Sequence, residues 1–448
     1  PDNVKSIGDS AFSRCSSLES ITIPDSVTSI GVGVFSGCSN LASIKVDENN
    51  PKYHSTVNCL IETLSKTLIV GCKASVIPDD GSVTSIGESA FSSCNSLESI
   101  TIPDSVKSIG DSAFSSCSSL ESIIIPDSVT SIGVGVFSGC SNLASIKVDE
   151  NNPKYHSTVN CLIETLSKTL ITGCSTSVIP DDGSVTSIGN SAFSGCSSLE
   201  SIIIPDSVTS IGNSAFSSCS SLESIIIPDS VTSIGSSAFS GCSNLVYNSN
   251  DNGYYMGNSS NQYVVFIDVI DTSITTFDIH ESTKVIYNSA FRDCSSLESI
   301  TIPDSVTSIG HYAFSGCSSL GSITVPDSVT SIGESAFSSC SSLESITIPD
   351  RVTSIGDSAF RDCSSIESIT IPDSVTSIGY RVFYDCSSLE SMTIPDSVIS
   401  IGDSAFYNCS SLESITIPDS VTSIGDYAFW DCSSLESITI PDSVTSIG

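Results

Sequence analysis

Apolar residues recur along the chain with a period of 23 residues, and residues 211–233 show one complete unit. In this unit Leu222, Ile225 and Ile227 follow the pattern L-x-x-I-x-I. The final I-x-I alternates as a strand with one buried face does, and isoleucine favours strands. Pro228 follows directly, and a residue without an N–H group belongs at the end of a strand. The pattern therefore predicts one short strand per unit, with its middle residue facing outwards.

The rest of the unit predicts two further elements. Val231 and Ile234 bring the chain back to the apolar side and favour a second short strand. Phe239, Cys242 and Leu245 are three residues apart, which is the spacing along one side of a single helical or 3₁₀ turn. We therefore expect each unit to contain a strand, a turn, a short strand and a helical turn.

The Phe-x-x-Cys motif of this unit occurs fifteen times along the chain. Its phenylalanines are Phe12, Phe35, Phe91, Phe114, Phe137, Phe193, Phe216, Phe239, Phe291, Phe314, Phe337, Phe360, Phe383, Phe406 and Phe429. A fixed period of this length is typical of a solenoid, in which each turn buries its apolar face against its neighbours. We therefore expect about fifteen stacked turns.

The motifs L-x-x-I-x-I-P, V-T-S-I-G and A-F-x-x-C together resemble the BspA-like class of leucine-rich repeat, and the resemblance covers nearly the whole chain. It implies a single leucine-rich-repeat solenoid over residues 1–448, an α/β-type repeat of mostly short parallel strands with short helical turns. It also implies a non-catalytic surface or secreted protein that adheres to host or matrix proteins such as fibronectin and fibrinogen.

Two segments leave the register of the repeat, and they are near copies of each other. Residues 44–78 and 146–180 each contain alternating stretches separated by turn residues, which predicts a β-hairpin inserted into one enlarged turn. The cysteines flanking each hairpin are Cys59 with Cys72 and Cys161 with Cys174. A disulfide within each pair is one hypothesis, and buried free thiols are the alternative.

Residues 246–285 form the least repetitive part of the chain and the richest in aromatic residues. Asn248–Asn261 is polar and contains many turn residues, which indicates a loop. Val264–Ile270 and Ile274–Ile279 read as strands. We therefore expect one irregular turn here.

The composition excludes several classes of function. The chain has 15 Lys and Arg against 50 Asp and Glu, a formal net charge of −35, so it repels nucleic acid and anionic membranes. Its sequence has no apolar run long enough to span a membrane. It begins and stops within a unit, without the polar caps that solenoids need, so we interpret it as a fragment whose signal and anchor lie elsewhere.

Catalytic and metal-binding motifs are absent from the sequence. There is no G-x-S-x-G, P-loop or dinucleotide fingerprint, and only four histidines. The chain has 19 cysteines but no C-x-x-C, so we expect neither zinc nor any other cofactor, and no enzyme. Acidic residues before and after each strand stack into columns, and weak calcium binding along them is a hypothesis beside a purely solvated face.

Two surfaces are candidates for recognition. The first is the outward column, formed by the middle residue of each strand, which includes Thr101, Ile124, Ile203 and Ile226. An exposed β-branched stripe favours protein binding, although strand propensity alone also explains it. The second comprises Tyr254, Tyr255 and Tyr263, whose rings either contact a ligand or pack a deformed turn.

These observations leave three functions open. Adhesion to a host or matrix protein is the first. A structural or self-associating spacer is the second, because near-identical turns serve it equally well. An intracellular scaffold is the third, because many free thiols suit a reducing compartment.

Overall fold

A computed structural model describes residues 3–448 and contains strands and turns but no helix in that range. Its contacts divide these residues into two compact units. The first unit comprises residues 3–226 with Ser237–Val246, and the second comprises Ile227–Ser236 with Tyr247–Gly448. Each unit consists of stacked turns with a period of about 23 residues, which confirms the solenoid indicated by the sequence.

The first strand of most turns lies at the I-x-I segment of the repeat, and we call these the column strands. Their bounds are Ser20–Ile23, Ser43–Val46, Ser122–Ile125, Ser145–Val148, Ser201–Ile203, Ser224–Ile226, Thr276–Asp278, Ser299–Thr301, Ser322–Thr324, Ser345–Thr347, Ser368–Thr370, Ser391–Thr393 and Ser414–Thr416. Neighbouring column strands pair in parallel and in register, so that Ile323 lies beside Ile346 and Thr324 beside Thr347. Equivalent residues of successive turns are therefore aligned.

The second strand of each turn is only two residues long. These short strands are Ser6–Ile7, Ser29–Ile30, Ser85–Ile86, Ser108–Ile109, Ser131–Ile132, Ser187–Ile188, Ser210–Ile211, Ser233–Ile234, Val285–Ile286, Ser308–Ile309, Ser331–Ile332, Ser354–Ile355, Ser377–Ile378, Ser400–Ile401, Ser423–Ile424 and Ser446–Ile447. They also pair in parallel, as Ser377–Ile378 does with Ser400–Ile401. The isoleucine of the pair faces the core in most turns.

The helical turn predicted at Phe-x-x-Cys is wrong, because the backbone there forms consecutive β-turns. In a representative copy Ser112 has φ +52° and Ser116 has φ +59°. These left-handed residues interrupt any helix. The N–H of Cys117 donates to the carbonyl of Phe114 at 3.2 Å, and similar i to i−3 bonds close the neighbouring turns.

The remaining amides of this segment join one turn to the next. The N–H of Phe114 donates to the carbonyl of Val136 at 2.9 Å, and that of Ser116 to the carbonyl of Ser138 at 2.6 Å. Alternate amides thus close β-turns within one turn of the solenoid and form a ladder to the next turn. A helix would direct all of these bonds along its own axis.

Stacked phenylalanine rings form the centre of the core. In the second unit seven of these rings stack in one row, with centroids 5.1 to 5.7 Å apart and planes 3° to 16° apart. The row contains Phe291, Phe314, Phe337, Phe360, Phe383, Phe406 and Phe429. The separation lies within the range favoured by aromatic pairs.

Each insert contains three antiparallel strands, one more than the sequence indicated. They are Tyr53–Thr56, Cys59–Glu62 and Thr67–Val70 in the first, and Tyr155–Thr158, Cys161–Glu164 and Thr169–Thr172 in the second. The third strand then pairs in parallel with the next short strand, Ser85–Ile86 or Ser187–Ile188. It therefore takes the place of a strand in the solenoid.

The irregular segment of the second unit follows the same plan. Asn248–Asn250 and Gly253–Met256 form an antiparallel hairpin, so the loop predicted over Asn248–Asn261 is wrong in its first half. Val265–Val269 pairs with Gly253–Met256 and, in parallel, with Val285–Ile286.

The structure has about nineteen turns. Counting Phe-x-x-Cys motifs gave about fifteen because turns built by the inserts lack the motif.

A glycine stands where the first insert meets a core phenylalanine of the first unit. Gly71 lies against the buried ring of Phe91, and a Cβ atom at Gly71 would overlap that ring. The Gly71 N–H also donates to the carbonyl of Ala90 at 2.8 Å. The close approach of the insert to the core therefore requires glycine at this position.

Candidate functional site

The outward column is exposed in the first unit, as the alternation predicted. Ile203 is 64 % exposed and Ile226 is 41 % exposed, whereas Ile202 and Ile204 are buried. Ile203 and Ile226 lie side by side in paired column strands. Ile124 and Thr101 are also exposed, and Ile124 lies beside Lys147. These isoleucines therefore contribute little to the core and much to the surface.

Two valines of the second insert extend this surface. Val178 is 60 % exposed and stands in the sequence Ser-Val-Ile-Pro. Its position in this sequence corresponds to that of Ile203 in the next turn of the solenoid. The N–H of Val178 donates to the carbonyl of Val159, which is also exposed. We call Val159, Val178, Ile203 and Ile226 the aliphatic stripe. Aligning Ser-Val-Ile-Pro with the strand motif would have revealed it in the sequence.

Acidic residues border the aliphatic stripe. Glu200 and Glu223 lie three residues before Ile203 and Ile226, and Asp181 and Asp206 lie three residues after Val178 and Ile203. These four carboxylates are exposed. The stripe is therefore an apolar band between two lines of negative charge.

The tyrosine cluster divides into inward and outward rings. Tyr255 is buried, packs edge-on against Tyr263 and Phe266, and accepts a hydrogen bond from the N–H of His280 at its hydroxyl. Tyr263 is half-buried and stacks on His280 at 3.8 Å. A ligand-binding role for Tyr255 is therefore wrong, because its ring packs a deformed turn. Tyr254 alone faces outwards, with 37 % of its surface exposed.

Sequence reasoning missed a second aromatic surface in the second unit. In three successive turns the residue after the core phenylalanine is aromatic, whereas most copies have serine there. These residues are Tyr384, Tyr407 and Trp430. Their rings stack, with centroids 4.6 Å and 6.4 Å apart and planes within 6° of each other. The Arg361 and Arg381 guanidinium groups lie 5.3 Å and 5.0 Å from the Tyr384 centroid. We call the three rings the aromatic column. The replacement of serine by an aromatic residue at this repeat position is the sequence feature that would have revealed it.

The insert hairpins present a third exposed group. Leu64 is 92 % exposed at the tip of the first, and Leu166 is 91 % exposed at the tip of the second. Beside the first tip Lys52 forms a 3.1 Å ion pair with Glu62. Hydrogen bonds from Ser65 and Lys52 lower the pKa of the Glu62 carboxyl.

The four insert cysteines are buried free thiols, so the hypothesised disulfides are not formed in this structure. The Cys59 thiol donates to the carbonyl of Val76 at 3.4 Å, whereas the Cys72 thiol lies 3.9 Å from the carbonyl of Asn58. Cys161 donates likewise to a backbone carbonyl, and the Cys174 thiol contacts the Thr176 hydroxyl. Each thiol thus has its own polar partner.

The repeat cysteines form a ladder of thiols between turns. The Cys340 thiol donates to the carbonyl of Phe314 at 3.1 Å, and the Cys363 thiol to that of Phe337 at the same distance. Burial raises the pKa of Cys340 to about 12, which makes its thiol unreactive at neutral pH.

Within residues 3–448, no three His, Cys, Asp or Glu side chains are grouped so as to hold a metal ion. A helix capable of spanning a membrane is likewise not found in that range.

Comparison with known proteins places the chain in a family. The family model for the BspA type leucine rich repeat region matches residues 1–81, 70–170, 164–260, 269–390 and 353–448. A search of curated protein sequences gave no match.

Two solved structures are similar to this chain at low structural overlap. A leucine-rich repeat protein from Bacteroides ovatus is 27% identical, with 99% of this chain and 78% of that chain covered and a TM-score of 0.33. A leucine rich cell surface protein from Faecalibacterium prausnitzii is 28% identical, with 97% and 82% covered and a TM-score of 0.28. Because the family model matches nearly every residue, this chain belongs to the BspA-type leucine-rich repeat family.

Proposed function

We propose that this chain is a non-catalytic, protein-binding repeat protein that acts at the cell surface or after secretion. The observation that carries the proposal is the aliphatic stripe, in which Val178, Ile203 and Ile226 are exposed. Most other copies of the unit have threonine at this column position, as at Thr301 and Thr324. Isoleucine is therefore not required there by the fold, and exposed apolar side chains favour a binding partner.

The finer proposal is adhesion to a host or extracellular-matrix protein such as fibronectin or fibrinogen. Membership of the BspA-type family supports it, and so does the cell-surface description of the Faecalibacterium prausnitzii protein. A net charge of −35 argues against nucleic acid and anionic lipid as ligands. The acidic columns also leave weak calcium binding as part of the proposal.

The test is binding of the purified chain to immobilised fibronectin and fibrinogen, titrated with salt and with calcium. We expect saturable binding at micromolar or lower concentration that persists at moderate salt. Because screening weakens contacts between exposed charges, binding that disappears as salt rises would indicate non-specific attraction. No binding with or without calcium would contradict adhesion and favour a structural or self-associating spacer.

A matched pair of variants locates the contact. Ile203→Thr restores the residue that most turns have, whereas Thr324→Ile makes the reverse exchange in the second unit. We expect the first to weaken binding and the second to leave it unchanged. Equal effects of both exchanges would indicate contact with strands in general and not with the aliphatic stripe.

A further inference from the structure

The charges beside the aliphatic stripe narrow the class of protein that fits it. Ile203 has Glu200 on one side and Asp206 on the other, each three residues away and exposed. Three residues span at most about 10 Å, so the acidic lines lie within about 20 Å of each other. A partner must therefore place apolar side chains in the centre and positive charges on both edges.

The spacing along the stripe matches a helix. Adjacent parallel strands are about 4.8 Å apart, and one turn of an α-helix rises about 5.4 Å. A helix lying along the stripe can thus set residues i, i+4 and i+7 near Val178, Ile203 and Ile226. Its diameter of about 10–12 Å leaves room for lysine or arginine side chains to reach the carboxylates on both sides.

We propose that the aliphatic stripe binds an amphipathic α-helix of a protein partner, whose apolar face is bordered by lysine or arginine. This inference rests on the proposed protein-binding function and specifies its ligand. A second copy of this chain fits poorly, because its own acidic lines would face Glu200 and Asp206. Anionic lipid is repelled by the same charges.

The first insert provides an internal control. Val57 and Val76 repeat the positions of Val159 and Val178, and all four are exposed. The turn after the first insert has Thr101 at the position that Ile203 occupies in the turn after the second insert. The acidic residues at the equivalent positions are Asp79, Glu98, Asp104 and Glu121, and the one added charge on this border is Lys73, which stands where the second insert has Ser175. Thr101→Ile should therefore create a second copy of the stripe with one positive charge beside it.

The test uses a labelled synthetic peptide in which leucine repeats at helical spacing and lysine occupies the flanking positions. Fluorescence anisotropy measures its affinity, and calorimetry its stoichiometry, on the wild-type chain and on Ile203→Thr and Thr101→Ile. Two control peptides have the same residues in scrambled order or glutamate in place of lysine. Circular dichroism checks that both variants are folded, which is expected because each exchange introduces a residue that the column already contains.

We expect one peptide to bind per wild-type chain and the two control peptides to bind at least tenfold more weakly. Ile203→Thr should lower affinity about tenfold, since burial of an isoleucine is worth about one factor of ten or more. Thr101→Ile should raise the stoichiometry from one to two. Equal binding of the scrambled peptide, an unchanged affinity of Ile203→Thr, or an unchanged stoichiometry of Thr101→Ile would overturn the proposal.

The outcome separates this inference from the adhesion proposal. If fibronectin or fibrinogen binds but the peptide does not, the helix-binding inference is wrong and adhesion stands. If the peptide binds as expected but neither matrix protein does, the stripe recognises another protein with a cationic helix and adhesion to these two is wrong.

Discussion

Removing one ring from the phenylalanine row tests what holds successive turns together. Phe337 has no exposed surface and stacks on Phe314 at 5.4 Å and on Phe360 at 5.6 Å. Truncating a buried phenylalanine to alanine costs about 3–5 kcal/mol, because burial is lost and a cavity remains. Two stacked partners place Phe337→Ala near the upper end, at about 4–5 kcal/mol.

Phe12 is the matched control at the same repeat position. It is 38 % exposed and, among residues 3–448, stacks on the single ring of Phe35 at 5.4 Å. Because less surface is buried and one partner is absent, we expect Phe12→Ala to cost about 1–2 kcal/mol. Phe337→Leu should fall between the two alanine variants, since leucine fills part of the cavity.

The assay is urea denaturation followed by circular dichroism, with the slope of each transition compared before free energies are calculated. Repeat arrays can unfold in parts, so a changed slope would mean that a local segment and not the whole unit has been lost. Equal losses for Phe337→Ala and Phe12→Ala, or a loss below about 1 kcal/mol for Phe337→Ala, would refute the reasoning from burial and stacking.

Three further predictions follow from single positions. Gly71→Ala should destabilise the chain by about 1–3 kcal/mol in urea melts, because its Cβ overlaps a core ring, whereas Gly8→Ala, with open space around it, should have little effect. Burial and, to a smaller extent, the neighbouring Asp385 carboxylate raise the pKa of Asp362 against the opposing effect of the Arg361 guanidinium, which lies 3.3 Å from this carboxyl. Ionised Asp362 therefore destabilises the fold above that pKa, and this penalty disappears as the pH falls below it. Asp362→Asn should therefore raise the melting temperature at neutral pH but not at acidic pH, and a gain at both would contradict the linkage. A thiol reagent should label Cys15 first in the native chain, because it is the one exposed cysteine among residues 3–448. All 19 cysteines should react after unfolding without reductant, and only 15 would react if both insert pairs were disulfides.

The repeat made most of the architecture predictable. Phe337 and Ile346 recur at fixed spacing, so the sequence places both on the apolar side of every turn. The β-turns at Phe-x-x-Cys were not predictable, because Ser112 and Ser116 adopt left-handed φ values that serine does not usually favour. A ladder of hydrogen bonds to the neighbouring turn determines this backbone, and it exists only after stacking.

The candidate site was predictable only in part. Alternation within a strand was enough to place Ile203 outside the core. It could not separate Tyr254 from Tyr255, because a hairpin bulge between these two residues shifts the register. The apolar pattern of the repeat does not predict the role of Trp430, because this residue stands at a position where most copies have serine.

The most direct test of protein recognition by the aliphatic stripe compares two triple variants. One replaces Val178, Ile203 and Ile226 with threonine, and the other replaces the three rings of the aromatic column with serine, so both introduce the common residue of the repeat. Binding to immobilised fibronectin and fibrinogen is measured for each beside the wild-type chain. We predict a loss of at least tenfold in affinity for the threonine variant and wild-type affinity for the serine variant. Wild-type affinity in the threonine variant would contradict the account, and a loss confined to the serine variant would move the binding surface to the aromatic column.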